Sequence, residues 1–469
     1  MRLTSRLAIL AGIAALTAPF GLAAAVAPAS AAGAPSEWPQ YGQSPRHLNT
    51  NPAEKAFTPG NVGGLHTLFT ADFGSNTLSE GGPAVAGGVM YIGGFDGKLN
   101  AYPATGCGHP RCQPMWQGMA NGDFTSTPAV AGGRVFIASA DHFLYAFPAA
   151  GCGAAVCAPR WKAHLLSAVV DSSVAVAGGV AYVGDSAGRL YAFKAGGCGA
   201  KVCTPLWVGH GFKTELIGAP AVGNGRVYVT TFLNTPNLLS GRLLVFPAAG
   251  CGMANCAPAW TAKIGGPAGS TAAPAVTAKT VYTTSGTLFG DGVNTNFHLM
   301  AFPAAGCGAK TCKPLRSYDT GDGGAEGSAA VAGNMVFATT QASPDPNTIG
   351  VVAAYPAAGC GRLRCEPLWT GINFTSGFAS PPAVVNGVVF VGKGPATATS
   401  QNTPDAGLYA FKAAGCGGAA TCKPISFLEL STYQNYLGAP LAVAEGKVFM
   451  ASTDNLSGRT LVYAMALSD

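Results

Sequence analysis

The chain has 469 residues, of which 48% are hydrophobic and only 10% are charged, and its formal net charge is +6. No Lys/Arg cluster stands out in the sequence, and phosphate binding needs a concentrated basic footprint, so we expect no nucleic-acid partner. The length exceeds that of most single domains, unless the chain repeats one unit around a continuous core.

The N-terminus has the features of a secretory signal. Arg2 and Arg6 precede an apolar run that begins at Leu7, and Ala29-Ser30-Ala31 supplies the small residues of a cleavage site. We therefore expect residues 1–31 to be removed as a signal peptide and the protein to be secreted and extracellular. A retained membrane anchor is the alternative. No later stretch is long and apolar enough to span a bilayer, so we expect no membrane partner after removal of the signal.

An isolated strand and eight copies of one unit follow. Residues 65–70 (LHTLFT) are predicted as a strand that precedes the first copy. Each copy then begins with a short Ala/Val-rich run, such as Pro128-Ala129-Val130, and the copies recur every 45 to 60 residues. A period in this range indicates one supersecondary unit copied many times. The runs begin at Pro83, Pro128, Val174, Pro220, Pro274, Ala329, Pro382 and Leu441.

Each copy predicts four short strands. In the second copy, residues 128–131, 134–138 and 143–147 are apolar runs rich in Val, Tyr and Phe, separated by Gly132-Gly133 and Asp141-His142. A fourth strand begins near Trp161. Four short strands with tight turns form an antiparallel meander, and such a unit repeated at this length is typical of a β-propeller blade.

The copies predict an eight-bladed, all-β propeller of four-stranded antiparallel blades. The eighth copy ends near Val462-Tyr463-Ala464-Met465 and has no fourth strand of its own. We expect the isolated strand at Leu65 to complete this last blade and close the ring, because closure removes exposed sheet edges. The predicted organisation is an entry segment at residues 32–64 and a propeller at residues 65–469.

Fourteen cysteines lie in seven pairs, one in each of the first seven copies. Cysteine pairs in a secreted chain favour disulfides, and zinc is disfavoured because no histidine recurs at a fixed offset. Each bond would close a short loop and stabilise the fold by about 2 kcal/mol, pinning a hairpin tip rather than joining distant elements. The pairs are Cys107/Cys112, Cys152/Cys157, Cys198/Cys203, Cys251/Cys256, Cys307/Cys312, Cys360/Cys365 and Cys416/Cys422.

A tryptophan begins the fourth strand in five copies. These residues are Trp116, Trp161, Trp207, Trp260 and Trp369, and Arg316 and Ser426 replace them in two other copies. An aromatic ligand platform is one interpretation. A large side chain wedged between adjacent blades is the interpretation that we favour, because binding sites are rarely copied identically around a ring.

These features resemble a known repeat. The segment PAVAGGRVFIASADHFLYAFPAAGCGAAVCAPRW, from Pro128 to Trp161, resembles the pyrroloquinoline-quinone-like (quinoprotein-type) β-propeller repeat. The segments Trp38-Pro39-Gln40-Tyr41-Gly42 and Asn61-Val62-Gly63-Gly64-Leu65 resemble the entry segment of quinoprotein propellers. The resemblance covers the mature chain and implies the fold and a bacterial, secreted variant with a disulfide loop. It does not specify an activity, since this repeat serves dehydrogenases and non-catalytic scaffolds alike.

The resemblance also names cofactors that the residues do not match. Quinone-dependent dehydrogenases of the family use an adjacent cysteine pair on the cofactor, a bound calcium and an aspartate base. This chain has no Cys-Cys dipeptide, and no acidic constellation can be matched to the calcium site. Pyrroloquinoline quinone (PQQ) and calcium therefore stay possible cofactors without the family's site signature.

Candidate ligand sites lie on the face of the loops between the second and third strands. These loops are short in copies one to three and longer in copies four to eight, so specificity would reside there, and drifting surface insertions are the alternative. Glu80, Asp171 and Glu326 occupy one position, three residues before the first strand, and could bind a cation or a cationic ligand. Solvated residues at the channel mouth are the alternative. Asp291 and Asn294 could ligate calcium, and Phe124 and Tyr433 could stack on a sugar or cap a blade core.

The sequence therefore predicts a secreted, non-enzymatic propeller, monomeric, that binds a protein, a glycan or a small-molecule ligand. No nucleophile elbow, zinc-protease motif, phosphate loop or dinucleotide fingerprint is present. A carbohydrate-active enzyme that uses channel carboxylates is the second hypothesis, and a PQQ-dependent dehydrogenase is the third.

Overall fold

The computed structural model of the chain describes most of the predicted propeller. The segment predicted as a signal peptide, residues 1–31, lies outside the described residues. Among the described residues, no helix has the length and apolar character needed to cross a membrane. The described ranges are residues 36–75, 81–170, 172–211, 216–235, 238–265, 272–285, 298–320, 325–340, 352–371, 379–393, 406–430, 435–436, 439–454 and 459–468.

Eight antiparallel blades form a ring, as predicted. The short β-branched and aromatic runs become strands, and the tight turns between the first two strands have a glycine pair in blades 1 to 3 and one glycine in blades 4, 6, 7 and 8. In blade order, the innermost strands are Ala84–Ala86, Ala129–Ala131, Ala175–Ala177, Ala221–Gly223, Ala275–Val276, Ala325–Ala332, Ala383–Val385 and Ala442–Ala444. The second strands are Val89–Gly93, Arg134–Ser139, Val180–Gly184, Arg226–Thr235, Thr280–Ser285, Met335–Thr340, Val388–Lys393 and Lys447–Asp454.

The outer half of each blade completes the meander. The third strands are Lys98–Pro103, Phe143–Pro148, Arg189–Lys194, Leu238–Pro247, His298–Pro303, Val352–Pro356, Gly407–Lys412 and Arg459–Leu467. The outermost strands of blades 1 to 7 are Trp116–Met119, Trp161–His164, Trp207–His210, Trp260–Gly265, Arg316–Asp319, Trp369–Gly371 and Ser426–Glu429. Two short strands, Leu216–Ile217 and Asn435–Tyr436, extend blades 4 and 8, and a 3-10 turn spans Val62–Gly64.

The N-terminal strand closes the ring, which confirms the prediction. Leu65–Ser75 is the outermost strand of blade 8 and pairs antiparallel with Arg459–Leu467. The register places Leu65 opposite Leu467 and Phe69 opposite Ala464. The N-terminal strand and the two C-terminal strands therefore lie in one sheet. The edge of Arg459–Leu467 is covered by Leu65–Ser75 and is not exposed.

The recurring tryptophan docks adjacent blades, as we favoured. Trp116 of blade 1 lies beneath Gly151 of blade 2, where a Cβ atom would come within 2.7 Å of the indole Cδ1. Gly151 has a φ of 76°, so both its backbone conformation and this contact require glycine. The same contact joins Trp161, Trp207, Trp260 and Trp369 to the glycine of the following blade, while Arg316 and Phe69 take the position in blades 5 and 8.

All seven predicted disulfides are present, but their role is wider than we predicted. Each cysteine loop reaches the outermost strand of the preceding blade, where the amide of Gln117, for example, donates to the carbonyl of Ala155 at 2.8 Å. That strand would otherwise present unpaired backbone groups, which the loop satisfies. The disulfide loops therefore join neighbouring blades as well as pinning hairpin tips. Six loops form two-residue parallel strands there: Arg111–Cys112, Val156–Cys157, Asn255–Cys256, Thr311–Cys312, Arg364–Cys365 and Thr421–Cys422.

The loop of blade 3 makes the same joint without forming a strand. The amide of Cys203 donates to the carbonyl of Lys162 in blade 2 at 2.9 Å, and Lys162 and Val202 form an isolated parallel bridge. Cys203 is 5% exposed and packs in the hydrophobic cluster of Trp161. We predicted this cysteine only as the anchor of a hairpin tip, and the structure corrects that prediction, because the residue is buried against the preceding blade.

Burial of the second cysteine is general to the seven pairs. Each of these residues lies between its own loop and the outermost strand of the neighbouring blade, so none offers an accessible sulfur site. The disulfides are therefore structural joints rather than candidate functional groups. The buried cysteines are Cys112, Cys157, Cys203, Cys256, Cys312, Cys365 and Cys422.

Blade 7 has the one outer edge without such a loop contact in the described part of the chain. In the other seven blades, the second residue of the corresponding stretch donates its amide to a cysteine loop, as Val208 does to Ala254 at 2.8 Å. The equivalent residue in Ser426–Glu429 is Phe427, and no described backbone group accepts from it. Its amide is therefore left at an open sheet edge.

Candidate functional site

The entry segment encircles the axis of the propeller. Residues 38–51 pass the innermost strand of every blade in order and meet the same valine position each time. Seven of these valines donate their backbone amide to the segment, and the eighth accepts from an asparagine side chain. The pairs are Val85 with Trp38, Val130 with Pro39, Val176 with Gln40, Val222 with Pro45, Val276 with Arg46, Val331 with Leu48, Val384 with Asn49 and Val443 with Asn51.

Two side chains of this segment fill the centre of the circle. Tyr41 packs against Ala219 and Ala273 of blades 4 and 5, and its Oη lies 2.8 Å from Oγ of Ser328 in blade 6. The imidazole of His47 meets the Tyr41 ring edge to face, with 5.0 Å between ring centroids. Both side chains are buried, so they plug the axis at the end of the ring where the cysteine loops lie.

A glycine makes the plug possible. Gly42 has a φ of 64°, and a Cβ atom there would lie 2.5 Å from Cα of His47. The amide of Asn49 also donates to the carbonyl of Gly42 at 3.1 Å. The segment thus folds back tightly on itself, and only glycine permits both the left-handed backbone and this approach.

The floor of the axis is electrically neutral near neutral pH. Burial lowers the pKa of His47 to about 3, because no described group compensates the charged imidazolium for lost hydration. Burial likewise raises the pKa of Tyr41 to about 12, against a smaller opposing effect of the hydrogen bond with Ser328. These two groups can form hydrogen bonds and apolar contacts, but neither is poised to transfer protons at pH 7.

Hydroxyl groups tie the innermost strands to each other around the axis. The amide of Gly82 donates to Oγ1 of Thr127 at 2.9 Å, and the amide of Thr127 donates to Oγ of Ser173 at 3.1 Å. In the next blades, Oγ of Ser172 donates to the carbonyl of Gly218 at 3.2 Å. These buried polar groups are committed to blade-to-blade contacts, which makes the wall of the axis a structural ring.

The opposite end of the ring is the variable-loop face. We define this face by the turns between second and third strands and by the connections between blades. In blades 1 to 3 the turns are short, at residues 94–97, 140–142 and 185–188, and Asp141 and Asp185 bind turn amides and tyrosine hydroxyls there. Those two carboxylates are therefore structural.

A β-ribbon rises from blade 4 on the same face. Arg226–Thr235 and Leu238–Pro247 each have ten residues, whereas the matching strands of blades 1 to 3 have five or six. The pairing continues to Thr235 opposite Leu238, so the ribbon extends beyond its neighbours by about 13 Å. Blade 4 therefore stands above the low rim formed by blades 1 to 3.

Of the residues predicted as a ligand site, few are described. Glu80, Asp171, Tyr433, Asp291 and Asn294 lie outside the described residues. The backbone of Glu326 pairs with Thr339 within the innermost strand of blade 6. Phe124 is fully buried and meets the ring of Tyr145 edge to face, so it caps a blade core, the alternative that the sequence left open.

The described residues do not fit the quinone and calcium that the resemblance named. All fourteen cysteines form disulfides at the cysteine loops, which lie at the end of the ring away from the variable loops. Across the described ranges, no three residues among His, Cys, Asp and Glu are grouped to hold a metal ion. The described floor of the axis supplies Tyr41, His47 and Ser328 instead, a set with no anionic ligand for calcium.

The sequence reasoning missed Tyr41 and His47 as central residues. It noted the entry segment only as a resemblance, and a lone histidine carries no periodic signal. The one available sign was the position of Gly42 between Tyr41 and His47, in a segment with no strand pattern. Only the ring geometry shows that this segment crosses the axis.

Comparison with known families supports the repeat assignment. A family model described as outer membrane protein assembly factor BamB matches residues 67–295. No curated protein sequence matches the chain.

Solved structures with the same fold include a BamB protein and dehydrogenases. BamB from Moraxella catarrhalis aligns with a TM-score of 0.54 at 14% identity, covering 85% of this chain and 97% of that one. Quinohemoprotein alcohol dehydrogenase from Comamonas testosteroni aligns with a TM-score of 0.63 at 12% identity, covering 94% and 82% respectively. A europium-containing methanol dehydrogenase aligns with a TM-score of 0.59 at 12% identity, covering 92% and 98%. At these identities the comparison identifies the fold alone.

Proposed function

Because this chain belongs to the family of PQQ-like β-propellers, we propose that it is a non-enzymatic binding scaffold whose partner contacts the variable-loop face. The single observation that carries the proposal is the plug of Tyr41 and His47. It closes the axis at the end of the cysteine loops, which leaves the variable-loop face as the proposed binding face.

The chemistry of the floor favours binding over catalysis. His47 has a pKa of about 3 and Tyr41 a pKa of about 12, so both stay neutral across the physiological range. General acid–base catalysis needs a group whose pKa lies near the working pH. A neutral floor suits a ligand held by shape and hydrogen bonds.

The partner that we propose is a protein. The blade 4 ribbon offers an elevated backbone edge beside the low rim of blades 1 to 3, which gives an uneven surface across the described part of this face. Such surfaces suit macromolecular partners, whereas small molecules are held in concave pockets. The match to a family described as a protein assembly factor supports the same class.

A site-specific crosslinking experiment tests the proposal. A photoreactive amino acid is placed at Asn234, in the blade 4 ribbon, and in a matched variant at Ala154, an exposed position in a cysteine loop. Expressed in the native host, the Asn234 variant is expected to give one defined protein adduct and the Ala154 variant none. Replacing residues 233–240 with a two-residue Asn-Gly turn should abolish binding of the identified partner without unfolding the blades. Equal adducts at both positions, or no effect of shortening the ribbon, would refute the proposal.

Activity assays separate the two enzymatic hypotheses. Incubation with a panel of oligosaccharides is expected to yield no cleavage product, whereas product formation would support a carbohydrate-active enzyme. Reconstitution with PQQ and calcium is expected to give no dye-linked alcohol oxidation. Binding of a glycan without turnover would keep the scaffold but change the class of partner.

We also propose that the protein is exported and acts as a monomer outside the cytoplasm. Seven disulfides support an oxidising compartment, where such bonds persist. N-terminal sequencing of protein from the culture medium should begin at residue 32. Light scattering after size-exclusion chromatography should give the mass of one chain.

A further inference from the structure

The face opposite the variable loops gathers positive charge. We define the cysteine-loop face by the cysteine loops, the tight turns between first and second strands, and the entry segment. These parts meet at one end of the ring, because in blades 1 to 7 the residue after the third strand bonds to the tight turn of its own blade, as Ala149 does to Gly133 at 3.0 Å. Twelve exposed cations lie there in the described residues: Lys55, Arg111, Arg160, Lys194, Lys201, Lys279, Lys310, Lys313, Arg362, Arg364, Lys412 and Lys423.

Acidic side chains on this face are few and mostly committed. Glu54 is buried and accepts from Oγ of Ser36 and from the amide of Gly446. Glu37 and Glu445 accept from the amides of Gly87 and Gly88. Glu366 is the one exposed acid on this face among the described residues.

Most of the cations are not neutralised by ion pairs. Arg111 pairs with Asp72 at 3.5 Å, and Arg364 pairs with Asp319. The other ten exposed cations have no salt bridge to any described residue. The described acids of the variable-loop end lie at the far side of the ring, and two of them, Asp96 and Asp185, form ion pairs with Lys98 and Arg189. They therefore do not neutralise the cations of the cysteine-loop face.

Exposed apolar side chains are interleaved with these cations. Leu363 is 78% exposed and stands between Arg362 and Arg364, and Met253 is 67% exposed in the loop of blade 4. Disulfides hold these loops, and the loops also bond to the neighbouring blade, so the apolar groups cannot fold back into a core. Of the fourteen large exposed apolar residues in the described part of the chain, four lie between paired cysteines: Val156, Val202, Met253 and Leu363. Five more lie three residues after a second cysteine, just before the outermost strand: Met115, Leu206, Leu315, Leu368 and Ile425.

We propose that the cysteine-loop face docks on the surface of an anionic lipid bilayer. Lysine and arginine side chains attract anionic headgroups, and the apolar loop residues insert among the upper acyl chains. A soluble polyanion would account for the cations but not for a ring of rigid, solvent-exposed Leu, Met and Val on the same loops. The membrane-bound propeller would then present its variable-loop face outward.

Vesicle co-sedimentation of the mature, fully disulfide-bonded protein tests the electrostatic part. The protein should bind phosphatidylcholine vesicles that contain about 30% phosphatidylglycerol at least tenfold more tightly than pure phosphatidylcholine vesicles, and high salt should weaken the binding. The double variant K310E/K313E removes two exposed cations and should weaken binding by at least about 25-fold. A matched variant, K263E/M119E/L166E, changes the net charge equally on exposed positions away from this face and should change binding by no more than about twofold.

Fluorescence tests whether the apolar loop residues insert into the bilayer. A surface that binds only polyanions would show no insertion. In the variant L363W, emission should shift to the blue on anionic vesicles and be quenched by brominated lipid. The control L166W places the same reporter at a residue 65% exposed in a connection between blades on the opposite face, and it should show neither change. The six native tryptophans are present in both variants and supply the common background.

Three outcomes would overturn the proposal. Absence of binding to anionic vesicles, or equal binding by K310E/K313E and the wild type, would remove the electrostatic argument. Tight binding of soluble inorganic polyphosphate with no spectral change in L363W on vesicles would reassign the face to an anionic polymer. Because these tests use only this face, they are independent of the crosslinking test at the blade 4 ribbon.

Discussion

Replacing His47 tests the structure of the plug. The imidazole is buried, packs against Tyr41, and has neither ring nitrogen bonded to a described residue. Phenylalanine offers a similar ring without a titrating group, so we expect H47F to fold and to be as stable as the wild type at pH 7 or more stable. The control is H142F, since His142 is exposed and also has a positive φ, of 72° against 52° at His47. This control measures the free-energy cost of phenylalanine at a positive φ where the side chain is exposed.

The size of the effect follows from the difference in pKa between the two states. The imidazole has a pKa of about 3 in the folded protein and about 6.5 in the unfolded chain. Between these values the unfolded state binds the proton and the folded state does not, so stability falls as the pH is lowered. From pH 7 to pH 5 this group alone should remove about 2 kcal/mol of unfolding free energy.

Urea unfolding of the oxidised protein at pH 7, 6 and 5 measures this contribution. The wild type and H142F should lose about 2 kcal/mol more than H47F between pH 7 and pH 5. The comparison of H47F with the wild type cancels every titrating group other than His47, since the two proteins share all of them. Parallel pH profiles for H47F and the wild type would show that His47 titrates normally, and the description of the plug would be wrong.

Three further predictions concern the joints between blades. Trp207→Ala should lower the unfolding free energy by about 3 to 5 kcal/mol, because Trp207 packs against Tyr182, Phe246 and Gly250. In the same urea assay, the control Ser426→Ala, at the equivalent position of blade 7, should change the unfolding free energy by no more than about 0.5 kcal/mol. The amide of Phe427 should exchange with deuterium at the rate of an open edge while that of Val208 is protected, and equal protection would contradict the open edge of blade 7. The double variant C152S/C157S should cost about 2 kcal/mol and speed exchange at Gln117 in the preceding blade; unchanged exchange there would show that the loop contact does not depend on the disulfide.

The sequence was sufficient for the architecture because the evidence for it is periodic. Eight Ala/Val runs, seven cysteine pairs and five tryptophans at one position each repeat the same local physics. The missing fourth strand of the last copy predicted ring closure by Leu65, since a four-stranded blade needs its outer member. A single unit gives a weak signal, but eight aligned copies remove most of the ambiguity in strand assignment.

Contacts between copies could not be predicted in the same way. The sequence did not indicate that each cysteine loop reaches the preceding blade, or that Cys203 is buried there, because that contact depends on the unpaired edge of a strand in another repeat. The central positions of Tyr41 and His47 were also invisible, since the entry segment has no repeat. The candidate acids at Glu80 and Asp171 lie outside the described residues and stay predictions.

The distribution of charge shows most clearly what could not be predicted from the sequence. Along the chain the cations of the cysteine loops are far apart, as Lys201, Lys310 and Lys423 are, so no basic cluster was seen. The expectation of no membrane partner rested only on the lack of a later stretch able to span a bilayer. Periodicity determined that these residues occupy equivalent positions in their blades, in the loop after the third strand. Closure of the ring placed all those loops on one face, because every blade is rotated about a common axis and not reversed. Like charges that are distant in sequence thereby become one surface, and that surface exists only in the folded ring.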